Sequence, residues 1–433
     1  MKIHRHTDSD FRDALARLDR RAAPSAEVEQ TVREIIAQVR ARGDAAVIEL
    51  GAKFGGPKLR ADQLRVSPTE IREAKKRVDA ATKKAIALAH ENVTNFARRS
   101  LRKNWSARNK QGALVGERFD PFERVGIYVP GGTAPLVSTA IMTCSIARAA
   151  GCPHVIVTTP TGEDGKINDA LLCALAHAGA TEIYKCGGAQ AIAALAFGTK
   201  TILGVSKIFG PGNAFVVEAK RQVFGRVAID LLPGPSEILV LADATANPAW
   251  ITADLLAQAE HGKGSQIVFV TDSVKLLDAV QREVSAQLTT LSRQQYLAGV
   301  LEKDAACVLV KSLNDAVKIA NDFAPEHVAI CAKNENALAA KITSAGAIFL
   351  GGFSPVVAGD FVAGPSHTLP TGGSGKSFPG ITAEMFQRRT SIVKFDRASL
   401  KKSLDAIQTF SRVEGLDAHG RSAAVRFERN FQK

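Results

Sequence analysis

The spacing of hydrophobic positions changes once along this chain, near residue 120. Before that point the pattern is helical. The run TVREIIAQVRARGDAAVIELGAKF carries apolar residues at helical intervals and breaks at Gly55-Gly56. Ser67-Pro68-Thr69-Glu70 has the form of a capped helix start, with Ser67 as cap and Glu70 three residues on. The stretch IREAKKRVDAATKKAIALAHENVTNFARRSL that follows predicts one long amphipathic helix. Residues 1–110 are therefore read as helical.

Beyond residue 120, short apolar runs alternate with Ala-rich helical stretches. The runs fall at 124–130, 154–160, 182–186, 207–210, 227–232, 237–243, 266–272, 307–311, 327–332 and 347–352. Such alternation predicts βαβ units with parallel sheets, and near-continuous apolar strands predict sheets covered on both faces. Ten runs are too many for one small sheet, so two α/β units are expected. Residues 355–380 are rich in Gly, Pro and Ser, and a loop of that length usually carries function. Residues 381–433 read as a small helical tail, most regular in ASLKKSLDAIQTFSRVEGL.

Composition narrows the class. The chain has 433 residues, 45% hydrophobic and 23% charged, which is ordinary globular usage. The first residues, MKIHRHTDSDF, lack the apolar core of a secretory leader, and no run is long enough to span a bilayer. A soluble, cytoplasmic protein with no membrane partner is expected. The six cysteines form no CxxC pair and sit mostly in apolar runs, which predicts buried free thiols.

The net charge of +13 concentrates at the ends, with 25 basic against 14 acidic residues in 1–110 and 12 against 6 in 376–433. Aromatics are only 6%, and no nucleic-acid motif is present, so basic helix surfaces explain the excess and no nucleic-acid partner is expected.

Five groups of residues could carry chemistry. Glycine turns follow strands at Pro130-Gly131-Gly132, Gly187-Gly188-Ala189-Gln190 and Gly210-Pro211-Gly212-Asn213. Each is either plain strand-to-helix punctuation or a place where backbone amides approach a phosphate. Gln258 and His261 share a helical face that ends at Gly262; His261 either favours the helix dipole or binds a metal. Pro325-Glu326-His327 is either an exposed turn or an acid–base pair beside a strand. Asp360 and His367 lie in the Gly-rich loop, and Glu414 and His419 lie near the C-terminus.

In combination these segments resemble a known family. EHGKGSQ, FGPGNAFVVEAKRQV, LLPGPSEILVLAD, APEHVAI, GAIFLGGFSP and AGPSHTLPTGG, in this order, are similar to histidinol dehydrogenases from about residue 25 onward. The resemblance implies oxidation of L-histidinol to L-histidine through the aldehyde, with two NAD per turnover and one zinc ion per subunit. It implies two incomplete Rossmann-like domains of the aldehyde-dehydrogenase kind, at 111–236 for NAD and 237–378 for zinc and catalysis. The 1–110 segment would pack on these domains, and the 379–433 tail would reach the partner's active site in an intertwined homodimer.

By position, Gln258, His261, Asp360 and His419 would be zinc ligands, a nitrogen and oxygen set suited to that ion. Glu326 and His327 would be the acid–base pair, and Tyr128, Gln190 and Asn213 would contact NAD. Substrate contacts would be Ser236, Gln258, His261, His327, Asp360, His367, Glu414 and His419. The loop departs from the family in having Ser366 where many relatives have Asn.

Three rival readings are defined by their tests. A sister enzyme would oxidise a different polar alcohol, such as a sulfonated diol, on the same frame. An aldehyde dehydrogenase would need Cys307 or Cys331 as nucleophile. A basic nucleic-acid binder would show steeply salt-dependent binding.

Overall fold

The computed structural model describes residues 1–16, 25–131, 135–262 and 264–428. Gly132 of the first glycine turn and Lys263 of the EHGKGSQ segment lie outside the described residues. In chain order the strands begin with β1 (Lys2–Arg5), β2 (Trp105–Arg108), β3 (Leu114–Pro121), β4 (Arg124–Tyr128) and β5 (His154–Thr159). They continue with β6 (Glu182–Lys185), β7 (Lys207–Phe209), β8 (Ala228–Ile229), β9 (Glu237–Ala242) and β10 (Gln266–Thr271). The last are β11 (Ala305–Leu309), β12 (His327–Cys331), β13 (Ala347–Leu350) and β14 (Gln387–Lys394). All ten apolar runs predicted from the sequence are strands, β4 to β13.

The chain divides into two units, the first made of Met1–Ser100 with Phe122–Phe386 and the second of Leu101–Pro121 with Gln387–Lys433. In the first unit β4 to β8 form a parallel sheet in the order β6-β5-β4-β7-β8. A second parallel sheet runs β1-β11-β10-β9-β12-β13. Their central strands are the most apolar because both faces are covered: every residue of β9 and β10 is buried. Each Val, Ile or Leu buried this way stabilises the fold by about 1.5–3 kcal/mol. The helix Gly188–Phe197, GAQAIAALAF, is buried from Ala189 to Ala196, and a helix apolar on all sides belongs inside.

In the second unit β14, β3 and β2 form an antiparallel sheet, followed by helices Arg397–Val413 and Asp417–Ala424. The helical tail is thus present, but it starts with a strand. In the exposed run QRRTSIVK nothing in the local hydrophobic pattern marks β14; pairing with β3 makes it a strand. β1 likewise owes its conformation to pairing with β11.

Two helices predicted as continuous are interrupted. Gly43 adopts φ 55° and its N–H returns to Val39 O, which ends the helix Ala26–Arg42 before Asp44–Lys53 begins. Val78 is extended and Asp79 caps a new helix, Ala80–Arg99, by accepting from Thr82 N at 2.8 Å. The predicted cap at Ser67 forms in full: Ser67 Oγ accepts from Glu70 N at 3.2 Å, and Glu70 Oε2 accepts from Ser67 N at 2.9 Å. Among the described residues no helix is long and apolar enough to cross a membrane.

Loss of that reciprocal cap has a readable consequence. Ser67→Ala is expected to lower stability by about 1 kcal/mol, seen as an earlier denaturation midpoint in urea with an unchanged slope.

Candidate functional site

Strand order in the first sheet runs β4-β5-β6 in one direction and β7-β8 in the other. It therefore reverses between β4 and β7, and ligands of open α/β sheets bind at the carboxyl ends of strands at such a point. A cavity of about 470 Å³ opens there. Tyr128, which ends the strand before the first glycine turn, and Gln190 and Asn213, which close the other two turns, all line it.

Each of the three is positioned by local structure. Tyr128 ends β4, is buried, and its hydroxyl accepts from Gly188 N at 3.2 Å. Burial pushes its phenol above the ordinary range. Gln190 lies in the first turn of helix Gly188–Phe197, and its buried Oε1 finds no partner among the described residues. Asn213 caps helix Ala214–Val223, accepting from Phe215 N at 3.1 Å and Val216 N at 3.2 Å. Gly187 starts its helix without any side-chain cap and Gly188 N goes to Tyr128, which leaves the amides after it in the first turn to meet an anion.

The opposite wall comes from Ile35, Val47, Gly51, Phe54, Pro57 and Leu59. Sequence reading missed these residues; the Gly55-Gly56 break in a helical run was their one signal. Lys185 also lines the cavity, with its ammonium paired to Glu70.

The second group assembles at the amino ends of β9 and β12 in the other sheet. Glu326 is buried, and its Oε2 accepts from Ser236 Oγ at 2.5 Å and Glu237 N at 2.9 Å. Burial raises its pKa, opposed by the adjacent His327 and by those two hydrogen bonds. His327 is also buried, and its Nδ1 lies 2.9 Å from Glu237 O. A carbonyl only accepts, so Nδ1 carries the proton and in the neutral ring Nε2 keeps its lone pair. That Nε2 lies 3.8 Å from Asp360 Oδ1.

Asp360 stands in the short helix Val356–Phe361 of the Gly-rich loop. The loop is fastened at several points. His367 Nδ1 donates to Asp360 O at 3.1 Å, and its Nε2 lies 3.0 Å from Thr139 Oγ1, so both ring nitrogens are engaged. Burial lowers the His367 pKa, against the pull of Asp360. Gly372 N donates to Glu237 Oε1 at 2.9 Å. Ser366 is buried and its Oγ accepts from Thr368 N at 3.3 Å, a local turn bond. Thr139 belongs to helix Val137–Ala149, which follows β4, so the polar cluster and the first sheet are tied together.

Gln258 closes helix Pro248–Ala259 and is buried, with its Nε2 unpaired among the described residues. His261 follows the helix end and is exposed, yet close enough to bear on the titration of both Glu326 and His367. Glu414 caps the end of helix Arg397–Val413 and His419 lies in helix Asp417–Ala424, both exposed, in the second unit.

Among the described residues no three His, Cys, Asp or Glu side chains converge as a metal cluster. The first unit offers a smaller set, Gln258, His261 and Asp360. Its fit to zinc rests on donor chemistry and on the buried amide of Gln258, which has an atom without a partner; exchanging its O and N presents a carbonyl oxygen instead.

Burial pushes Cys307 and Cys331, the two thiols named for a cysteine mechanism, up to about 11, which disfavours their thiolates at neutral pH.

A sequence model of the histidinol dehydrogenase family matches residues 18–427. A histidinol dehydrogenase of Geobacillus kaustophilus (strain HTA426) is 43% identical over 403 residues, covering 93% of this chain and 95% of that protein. One from Bradyrhizobium diazoefficiens is 46% identical over 402 residues, covering 93% of each. The crystal structure of a histidinol dehydrogenase from Elizabethkingia anophelis superposes with a TM-score of 0.94 at 35% identity, over 98% of both chains. An acetylating aldehyde dehydrogenase from Geobacillus thermoglucosidasius shares the fold alone, with a TM-score of 0.50 at 16% identity over 86% of this chain and 98% of that one.

The buried carboxyl gives a test by stability. A folded-state pKa raised above the unfolded value means that stability is lost as pH rises through the folded pKa. Glu326→Gln, which mimics the protonated form, is expected to gain thermal stability relative to the parent as pH climbs above the ordinary carboxylate range. A parent that gains on the variant over that climb contradicts the assignment.

Proposed function

The chain belongs to the histidinol dehydrogenase family, and we propose that it oxidises L-histidinol to L-histidine in two NAD-dependent steps at a zinc-supported site. The single observation that carries the reading is the peptide of Glu237. It fixes a carboxyl and an imidazole side by side, with the basic nitrogen of His327 turned toward Asp360.

NAD held by Tyr128, Gln190 and Asn213 would supply the hydride acceptor, and zinc held by Gln258, His261 and Asp360 with His419 of the partner subunit would supply a fixed positive template for the substrate's nitrogen atoms. His327 Nε2 takes the hydroxyl proton of histidinol as the carbinol carbon gives up its hydride. The aldehyde stays enclosed, which keeps it from escaping. Glu326 then takes a proton from a water molecule as that water adds to the aldehyde carbon, while His327 returns its proton to the aldehyde oxygen to give the hydrate. His327, neutral again, accepts a hydroxyl proton as the hydrate loses a second hydride, and the carboxylic acid of histidine so formed gives up its remaining proton to solvent. Burial raises the Glu326 pKa, which makes its carboxylate a better base toward that water than an ordinary one.

Ser236 holds Glu326, and His367 orients Asp360 from its place between Thr139 and that residue's carbonyl. Glu414 and His419 complete the partner subunit's site in a homodimer, with Glu414 accepting from the substrate amine. We place the reaction in the cytoplasm.

Counting NADH formed per histidinol consumed, with limiting histidinol and excess NAD, tests the reaction. Two equivalents with histidine as product, and loss of activity on chelation restored by zinc, are expected. One equivalent with free aldehyde overturns the role of Glu326. No NADH from folded, zinc-loaded protein returns the reaction to a different polar alcohol. His327→Asn is expected to lower kcat about 10²–10⁴-fold with little change in NAD affinity.

A further inference from the structure

Lys220 and Asp230 are buried charges that the chemistry above does not use. Both side chains have 0% exposure, and they form an ion pair. Beyond that pairing, both side chains bind one further residue. Lys220 Nζ donates to Gly210 O at 2.8 Å, and Asp230 Oδ2 accepts from Gly210 N at 2.7 Å.

Gly210 opens the turn that ends in Asn213. Its φ is 112°, and a Cβ there would stand 2.1 Å from Tyr128 O. The turn after β7 therefore lies flush against the end of β4, where Tyr128 enters the cavity. Tyr128 in turn receives Gly188 N, so the three glycine turns are joined at one point. The two charges thus grip the donor and the acceptor of the residue on which that junction rests.

A buried pair of this kind is expensive to desolvate and is often no more stabilising than an apolar replacement. Its retention is accounted for if it sets geometry. We propose that Lys220 and Asp230 are positioning residues for the dinucleotide: they hold Gly210 so that Asn213 and the first turn of helix Ala214–Val223 face the cavity. This rests on the reading of that cavity as the NAD site. Lys207 also lies near Asp230, but it keeps its own bond to Met385 O at 3.0 Å and its place over the Phe209 ring.

Two neutral double variants of the full-length, zinc-loaded protein test the idea. Removing one charge alone would strand the other, so both are changed together. Lys220→Met with Asp230→Leu removes both tethers, whereas Lys220→Met with Asp230→Asn keeps an acceptor for Gly210 N. NADH affinity by fluorescence titration is expected to fall at least about tenfold in the Met/Leu variant, with the Met/Asn variant between it and the parent. The KM for NAD should rise in the same order, while kcat at saturating NAD and the KM for histidinol stay within about threefold. A folded Met/Leu variant with parental NADH affinity overturns the proposal and leaves the cavity assignment intact. Equal loss of affinity for NADH and histidinol also overturns it, since that marks a general structural role. A parent protein that binds no NADH overturns the cavity assignment and the proposal with it.

Discussion

The peptide unit of Glu237 is the constraint on which the rest of the site depends. Its N–H binds Glu326 and its C=O binds His327, so two neighbouring side chains at the start of one strand are held by the backbone of the next. Backbone groups in a sheet cannot swing, which gives these bonds a rigidity that side-chain partners would lack. The geometry follows from the pairing of β9 with β12, in which His327 lies opposite Ile238. A slip of one residue would turn His327 to the other face and Val328 into its place. The apolar packing of both sheet faces fixes that register, so the core and the chemistry are secured together.

The two parallel sheets are used at opposite edges. In the first, the cavity lies at the carboxyl ends, at the reversal of strand order, where helix starts and glycine turns favour an anionic group. In the second, the polar cluster gathers at the amino ends, around the first residues of β9 and β12. The helix Val137–Ala149 and the Gly-rich loop join them, through Thr139 and His367. Glu237 serves a second time here, since its side chain anchors Gly372 of the same loop.

Much of this was legible in the sequence. Period and apolarity marked β4 to β13, because those strands carry their own apolar signal, strongest where both faces are buried as in β9 and β10. β1, β2, β3 and β14 escaped notice because they are short or exposed, and their conformation comes from partners distant in the chain. The helix breaks at Gly43 and Val78-Asp79 were hidden within runs whose periodicity continues across them. For the site, the motifs supplied the residue types, and Tyr128, Gln190 and Asn213 do share one cavity. Glu237 was passed over as the polar head of an apolar strand, though a carboxylate at that place was itself a signal. The pairing of Lys220 with Asp230 spans two elements, and nothing in either segment announces it.

The tautomer of His327 is the most direct measure of the central claim. Nitrogen-15 NMR of the histidine-labelled protein near neutral pH, with the His327 signals assigned by loss in an Asn variant, reads which ring nitrogen carries the proton. The geometry at Glu237 requires a protonated Nδ1 and a bare Nε2. A ring found with its proton on Nε2 and a bare Nδ1 would contradict the account, because the nitrogen facing Asp360 could then accept no proton from a substrate.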